Sequence, residues 1–437
     1  MNKTEIINKA KSVLALNDHG SYTIPAEGLY PHQWLWDSCF IAIGMANYDV
    51  DRAQTEILSL LRGQWSNGML PNIIFERKDH DSDIWRSWLS PYSPDDVATT
   101  GITQPPMLAE AIVRIGSKLT LSERRSWYRM VLPGLVNYHQ WLYNERDPHE
   151  EGLVLLIHPW ESGLDNTPPW MSELHNHLMP WWVRALDKLH LIPLVNIFRR
   201  DTKHIPIEQR PSTIEELTLF SVQRRLRRKS YNIDKILPHG LFAIEDLTFN
   251  CILIRANEHL KDIAKSLRYD LPDSLIISMD KTVKALEELW DPYTGQYYCR
   301  NFITHELIKE PSIATLMPLY TGVIEKERAI KLVKLLENKH IFGCEYPIPT
   351  TPLNSTWFNE NRYWQGPTWV NSNWLIIDGL KRSGFTEHAE ALAESSLEMV
   401  NEGGFFEYYN PMNGKPDGSD NFSWTAALVI DLANAYL

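Results

Sequence analysis

Apolar residues recur at helical spacing along most of the chain. Thr4–Leu16 places Ile6, Ile7, Ala10, Val13 and Leu14 on one side, which predicts an opening helix. An apolar stretch follows from Cys39 to Met45, and Asp51 reads as the cap of a helix reaching Leu61. Gln104–Gly116 carries Leu108, Ala111, Ile112 and Ile115 on one face, with Pro105 and Pro106 near its start. Leu121–Tyr143 predicts a longer helix, bent or broken near Pro133. Pro180–Phe198 is apolar and reads as helical, and Arg199–Ser230 as a solvated, basic helix pair. Downstream, Phe249–Leu267, Leu275–Trp290, Ser312–Tyr320, Lys326–Leu336, Thr368–Leu380, Glu387–Val400 and Trp424–Tyr436 all fit helices. Asn67–Phe75 and Trp85–Tyr92 read as loops rich in Gly, Pro and Trp.

Few stretches alternate with period two, so strands are expected to be minor. Short loops join the helices and no low-complexity linker divides the chain, which predicts one domain over residues 1–437. A dozen helices in one domain suggest a ring of helical hairpins around a central cavity. A solenoid would show a fixed repeat, and none is visible.

Composition changes this picture in one respect. Seventeen Trp and 18 Tyr are a heavy load, and many lie in polar or Gly/Pro-containing stretches. Indole rings stack on the flat C–H faces of sugars, so the enrichment fits a carbohydrate site, as it also fits a large aromatic core. A net charge of −12 argues against a nucleic-acid partner. The start, MNKTEIINKAKSVL, lacks a signal peptide's apolar region, and no run reaches transmembrane length. Cys39, Cys251, Cys299 and Cys344 are widely spaced and read as reduced thiols, so a cytoplasmic protein is expected. Neither a metal-ligand spacing nor a Gly-rich phosphate loop is present, and no metal or cofactor is expected.

The chemistry concentrates in His158–Trp170, HPWESGLDNTPPW. Glu161, Asp165 and Asn166 sit between Trp160 and Trp170, with no Lys or Arg from Glu151 to Val183. Burial in such surroundings raises a carboxyl's pKa, as a general acid working near neutrality requires. Asp165 is the leading candidate. A second carboxylate, Glu407, stands between Phe405-Phe406 and Tyr408-Tyr409. Glycoside hydrolysis needs two carboxyls on opposite faces of one bond, which gives the pair its meaning. Asn361–Trp374, NRYWQGPTWVNSNW, adds Tyr363, Trp364 and Trp369 as ring-stacking platforms and Arg362 as a cation; Gly366-Pro367 marks a helix start. Two other classes stay open: a sugar-binding protein on the same scaffold, and an epimerase using His32, His158 or His175.

Four blocks resemble one family. YPHQWLWDSCF (Tyr30–Phe40), ESGLDN (Glu161–Asn166), NRYWQGPTWVN (Asn361–Asn371) and FFEYYNP…NFSWTAAL (Phe405–Leu428) are similar to the bacterial branch of glycoside hydrolase family 63, with its mannosylglycerate and glucosylglycerate hydrolases. The resemblance spans nearly the whole chain. It implies an all-α (α/α)6 barrel with minor β structure and a small helical excursion, here 199–245. It also implies inversion at an α-glycosidic bond, with Asp165 as acid and Glu407 as base. Trp36, Asp37, Gln104, Trp364, Gly366 and Trp369 would surround the sugar. Tyr30, Gln33, Trp160 and Trp424 join them as expected substrate-facing residues. Arg86 and Arg362, beside Ser87, Tyr92 and Tyr363, are the candidates to meet a carboxylate on the leaving group. The hydroxyls of Tyr408, Tyr409 and Ser423 are expected to serve Glu407, with Asp165 the drier of the two acids. The expected partner is a small α-glycoside, glucosylglycerate or mannosylglycerate first; a trehalase-like disaccharidase is the alternative.

Overall fold

The computed structural model describes residues 2–75, 80–239 and 242–437. Its principal helices are α1 (Lys3–Leu16), α2 (Leu35–Met45), α3 (Val50–Arg62), α4 (Leu108–Ser117), α5 (Leu121–Arg146), α6 (Thr213–Arg228), α7 (Leu247–Leu267), α8 (Asp273–Ala285), α9 (Pro318–Thr321), α10 (Lys326–Glu337), α11 (Val370–Arg382), α12 (Thr386–Gly403) and α13 (Ser423–Tyr436). Six of them close a ring: α2 packs on α4, α4 on α7, α7 on α9, α9 on α11, α11 on α13, and α13 back on α2. Six more lie outside it, α1 on α13, α3 on α2, α5 on α4 and α7, α8 on α7, α10 on α9, and α12 on α11 and α13. This is the (α/α)6 barrel.

Burial separates the two rings. Every residue of α2 is buried, and α13 is buried from Ser423 through Ile430. A helix apolar all round belongs inside a fold, because it has no face to offer water. The outer α3 buries Ala53, Glu56, Ile57, Ser59 and Leu60 and turns its other residues outward. Short strands lie at the loop ends: β1 (Gln33–Trp34), β2 (Ile73–Phe75), β3 (Ala98–Thr99), β4 (Ile244–Glu245), β5 (Trp290–Asp291), β6 (Gln296–Tyr297), β7 (Cys299–Asn301), β8 (Leu307–Ile308), β9 (Tyr408–Tyr409) and β10 (Pro416–Asp417). They pair antiparallel as β1-β2-β3, β4-β7-β8, β5-β6 and β9-β10.

Several boundaries differ from the sequence reading. Asp49, not Asp51, caps α3, its carboxylate accepting the Arg52 amide at 3.0 Å. Helix α4 begins at Leu108, because a residue before proline avoids the α region and Pro105-Pro106 therefore stay outside it. Helix α5 runs unbroken through Pro133 from a Thr120/Glu123 capping box. Pro180–Phe198 splits into Trp181–Lys188 and Ile192–Asn196, with His190 left-handed between them at φ 56°. Arg199–Ser230 holds one long helix, α6, preceded by a loop with two 3-10 turns, so the expected helix pair is corrected. Ser312–Tyr320 is a 3-10 turn, Ile313–Leu316, followed by the short α9. Ile73–Phe75, read as loop, is the central strand of its sheet.

Candidate active site

The acid-bearing loop is built on a tight turn. His158 accepts the Trp160 amide on Nδ1 at 3.1 Å, so its Nε2–H donates to the Leu219 carbonyl of α6 at 3.0 Å. Burial pulls this imidazole down to about 3, which keeps it neutral and structural. Glu161 is likewise structural. Arg146 grips its two oxygens at 2.8 and 3.1 Å, and the amides of Ile157 and Thr103 donate at 2.7 and 3.2 Å. Gly163 then turns the chain at φ +71°, where a Cβ would stand 2.6 Å from the Trp36 ring. Gly163→Ala is expected to cost about 1–3 kcal/mol of stability through strain and a displaced indole. A urea unfolding curve with KM measured alongside checks this; an unchanged midpoint and KM would show that the turn tolerates a side chain.

Asn166 joins this loop to the aromatic one. Its Oδ1 accepts the Trp364 amide at 3.0 Å and its carbonyl accepts Gln365 Nε2 at 3.0 Å. Beside it the Asp165 side chain is half-buried, with Tyr363 donating to Oδ2 at 3.3 Å. Dense surrounding protein nevertheless strips much of its hydration. Burial pushes Asp165 up to about 7, the Glu216 carboxylate adds to the rise, and Arg210 and the Tyr363 hydroxyl oppose it. Tyr363 holds a left-handed backbone at φ 44°, which an aromatic residue rarely adopts. Next in line, Gly366 lets two segments touch, since a Cβ there would meet the Asn359 carbonyl at 2.1 Å.

Glu407 precedes the β9–β10 hairpin and is 1% exposed. Its Oε1 accepts the Tyr30 hydroxyl at 2.7 Å and its Oε2 the Ser419 amide at 3.0 Å. Arg210 Nη1 lies 3.5 Å from Oε1 and donates to the Tyr30 hydroxyl at 2.9 Å. Burial raises the Glu407 carboxyl, while Arg210, Tyr30 and Ser419 favour its charged form. Asp37, in the first turn of α2, is held well above the usual carboxylate range by burial, with Glu407 and Asp165 adding repulsion. Asp37, Asp165 and Glu407 therefore share one site.

Around them stands an aromatic cluster. Trp364 and Trp369 stack face to face at 3.7 Å, each 1% exposed, so each indole has one face already covered. Trp36 meets Trp364 at 6.3 Å and Trp424 at 5.5 Å, and Trp369 reaches Tyr363 at 5.4 Å. Trp424 Nε1 is buried without a hydrogen-bond partner. Gln104 anchors the wall, its side-chain oxygen 3.5 Å from the Trp36 amide.

Other expected members stand apart. Gln33 is engaged by Ser38 at 3.1 Å and Ser59 at 2.9 Å, beneath α2 and α3. Trp160 packs on His158, Trp85 and Phe220, away from the cluster. Arg86 and Tyr92 are exposed, Arg86 with a left-handed backbone at φ 47°. Arg362 donates to Glu215 at 2.7 Å, and His175 lies 3.8 Å from the same carboxylate. His32 meets Phe75 edge-on at 4.9 Å. The hydroxyls expected at Glu407 point elsewhere, because backbone carbonyls claim them: Tyr408 to Gln209, Tyr409 to Gly404 and Ser423 to Ile24. The dryness expectation is also corrected. Asp165 is the more open of the two acids by surface, and Glu407 the better hydrogen-bonded.

Sequence reading missed Arg210. It is 8% exposed, stacks over Tyr363 at 4.3 Å and lies 3.5 Å from Asp201. The available signal was its place two residues before Ser212, whose capping box with Glu215 starts α6 and fixes the preceding chain. Glu216, one turn into that helix, is pushed up to about 7 by burial and brings a further carboxyl toward Asp165.

A carboxyl pushed up to about 7, a second, hydrogen-bonded carboxyl beside a guanidinium, and indole walls thus stand together in an (α/α)6 barrel. Residues 30–425 match the mannosylglycerate hydrolase MGH1-like glycoside hydrolase domain, and the chain belongs to that family. It is 36% identical to the mannosylglycerate hydrolase of Thermus thermophilus, over 97% of this chain and 99% of that one. It is 31% identical to the glucosylglycerate hydrolase of Mycolicibacterium hassiacum, over 98% and 97%. A crystal structure of the family 63 mannosylglycerate hydrolase from Thermus thermophilus, in complex with Tris and D-glycerate, superposes with a TM-score of 0.87. The match covers 97% of this chain and 99% of that one at 36% identity. No helix among the described residues is long and apolar enough to cross a membrane.

Proposed function

We propose that this chain hydrolyses the α-glycosidic bond of mannosylglycerate or glucosylglycerate with inversion. The observation that carries the reading is the division between its two acids. Asp165, pushed up to about 7, holds the proton that the departing glycerate oxygen needs. Glu407, bonded by Tyr30 and Ser419 and faced by Arg210, stays ionised to take a proton from the attacking water. The relatives named for these two substrates align with the chain almost end to end, which supports the glycerate leaving group. Asp37 and the Trp36–Trp364–Trp369 wall are the groups that hold the sugar ring, and the unpartnered Trp424 Nε1 offers it a donor.

A glycerate carboxylate must meet a cation, because a buried unpaired charge is costly. Arg210 is that cation in this reading, in the place expected for Arg86 and Arg362. Arg86 stands exposed and Arg362 pairs with Glu215, whereas Arg210, which also faces Glu407 and Asp201, acts on Asp165 as well. The test is release of free mannose or glucose from the two glycerates, their glyceramide counterparts and trehalose. Loss of one charged hydrogen bond is worth roughly 1.5–3 kcal/mol, so the neutral amides should react about 10–100-fold more slowly. Equal rates on the amides would remove the carboxylate from recognition, and preferred cleavage of trehalose would select the disaccharidase alternative.

A further inference from the structure

We propose that the protein carries a transition-metal site on its outer surface, formed by His149, Glu151 and His305. His149 and Glu151 lie in the turn after α5, and His305 in the hairpin between β7 and β8. Glu151 Oε1 is 4.0 Å from His149 Nδ1 and 3.8 Å from His305 Nε2, and all three donor atoms fall within 4.8 Å of one another. Donors bound to one Zn2+ at about 2.0–2.2 Å lie roughly 3.4 Å apart, so a shift of about 1.5 Å or less closes the set. Two imidazoles and one carboxylate suit Zn2+, Ni2+ or Cu2+, whereas Mg2+ and Ca2+ prefer oxygen alone.

Two features support the cluster as a site. The imidazole of His149 lies against the Phe302 ring at 4.7 Å, which fixes its plane beside the hairpin carrying His305. The charge behind it is negative. Arg300 is shared by Glu151 at 3.0 Å, Glu245 and Glu288, three carboxylates around one guanidinium. That arrangement orients Glu151 through Oε2 and leaves Oε1 to the histidines, as groups behind a metal ligand commonly do. A bound divalent ion would offset the surplus charge.

The location gives the site its role. The same turn leads into Leu153–Ile157 and on to the Asp165 loop, and Leu156 pairs with Ile244 of the β4-β7-β8 sheet. A metal bridging His149 and Glu151 to His305 therefore clamps the path to the acid loop onto that sheet from outside. It stabilises the fold and leaves the chemical step alone. Sequence reading could not see it, because His305 is more than 150 residues from the other two ligands.

The experiment uses the full chain stripped with EDTA and then titrated with Zn2+ and Mg2+ by calorimetry and thermal unfolding. Expected are one Zn2+ per chain at micromolar affinity, a melting point raised by a few degrees, and no response to Mg2+. His149→Ala and His305→Ala, both at exposed positions, should each weaken the Zn2+ affinity at least tenfold and cancel the thermal shift, with turnover in EDTA unchanged. Glu151→Gln, which keeps the side chain's shape, should weaken it similarly. Failure of the wild-type chain to bind Zn2+, or unchanged affinity in both histidine variants, would overturn the proposal.

Discussion

Asp165→Asn lowers turnover of a natural α-glycoside by about 10²–10⁴-fold, the loss expected for a general acid. The substitution keeps the size of the side chain and its contact with Tyr363, so binding survives while the proton is gone. An activated substrate such as a glycosyl fluoride, whose leaving group needs no proton, should recover most of the rate. The pH profile supplies a second readout. In the parent, kcat/KM falls as pH rises through about 7, because Asp165 then loses the proton it must donate; in the Asn variant that limb disappears. The stability sign runs the same way. A carboxyl whose folded pKa lies above its unfolded value favours the folded state in acid and loses that contribution as pH rises through about 7. The Asn variant should therefore unfold no more easily than the parent at pH 8, as a urea titration would show. A variant with near-normal turnover of the natural glycoside would remove Asp165 from the mechanism.

The barrel was legible because most of its helices show their apolar spacing whether they face the core with one side or with all. Helix α2 shows the limit. Buried on every side, it has no solvent-facing side to mark its start, and the sequence shows only an apolar stretch from Cys39, four residues after Leu35. Asp165 and Glu407 stand out as candidates for a different reason: acids framed by aromatics beside glycines are unusual enough to single out. Their partners do not. Tyr30, Ser419 and Arg210 reach Glu407 from three separate stretches, and nothing local to FFEYYNP names them. Neighbouring hydroxyls looked better placed on paper, but the hairpin's alternation and backbone carbonyls turn Tyr408 and Tyr409 aside. Arg210 was hidden by its surroundings, a basic stretch whose Arg200, Arg224 and Arg228 do face water. Only the fold shows that the loop before α6 drops one guanidinium between Tyr30 and Tyr363.

Glu407→Gln abolishes hydrolysis of natural and activated substrates alike, again by about 10²–10⁴-fold, since water activation is needed whichever group departs. This separates it from Asp165→Asn, which the fluoride rescues. Gln keeps the side chain's size and one carbonyl oxygen, which can accept the Ser419 amide while its NH2 donates to the Tyr30 oxygen, so the variant should still bind, and KM should change less than kcat. In the parent, activity falls on the acid side as Glu407 gains a proton. Burial raises that carboxyl, so the limb should sit above the ordinary glutamate value. The stereochemistry decides the role. A base that delivers water to the face opposite the leaving group produces the β-anomer from an α-glycoside. Proton NMR of the first-formed sugar, recorded before mutarotation, should show β-mannose or β-glucose. The α-anomer appearing first would require a covalent sugar–enzyme intermediate, and Glu407, held by Tyr30, Ser419 and Arg210, would then have to attack carbon instead of activating water.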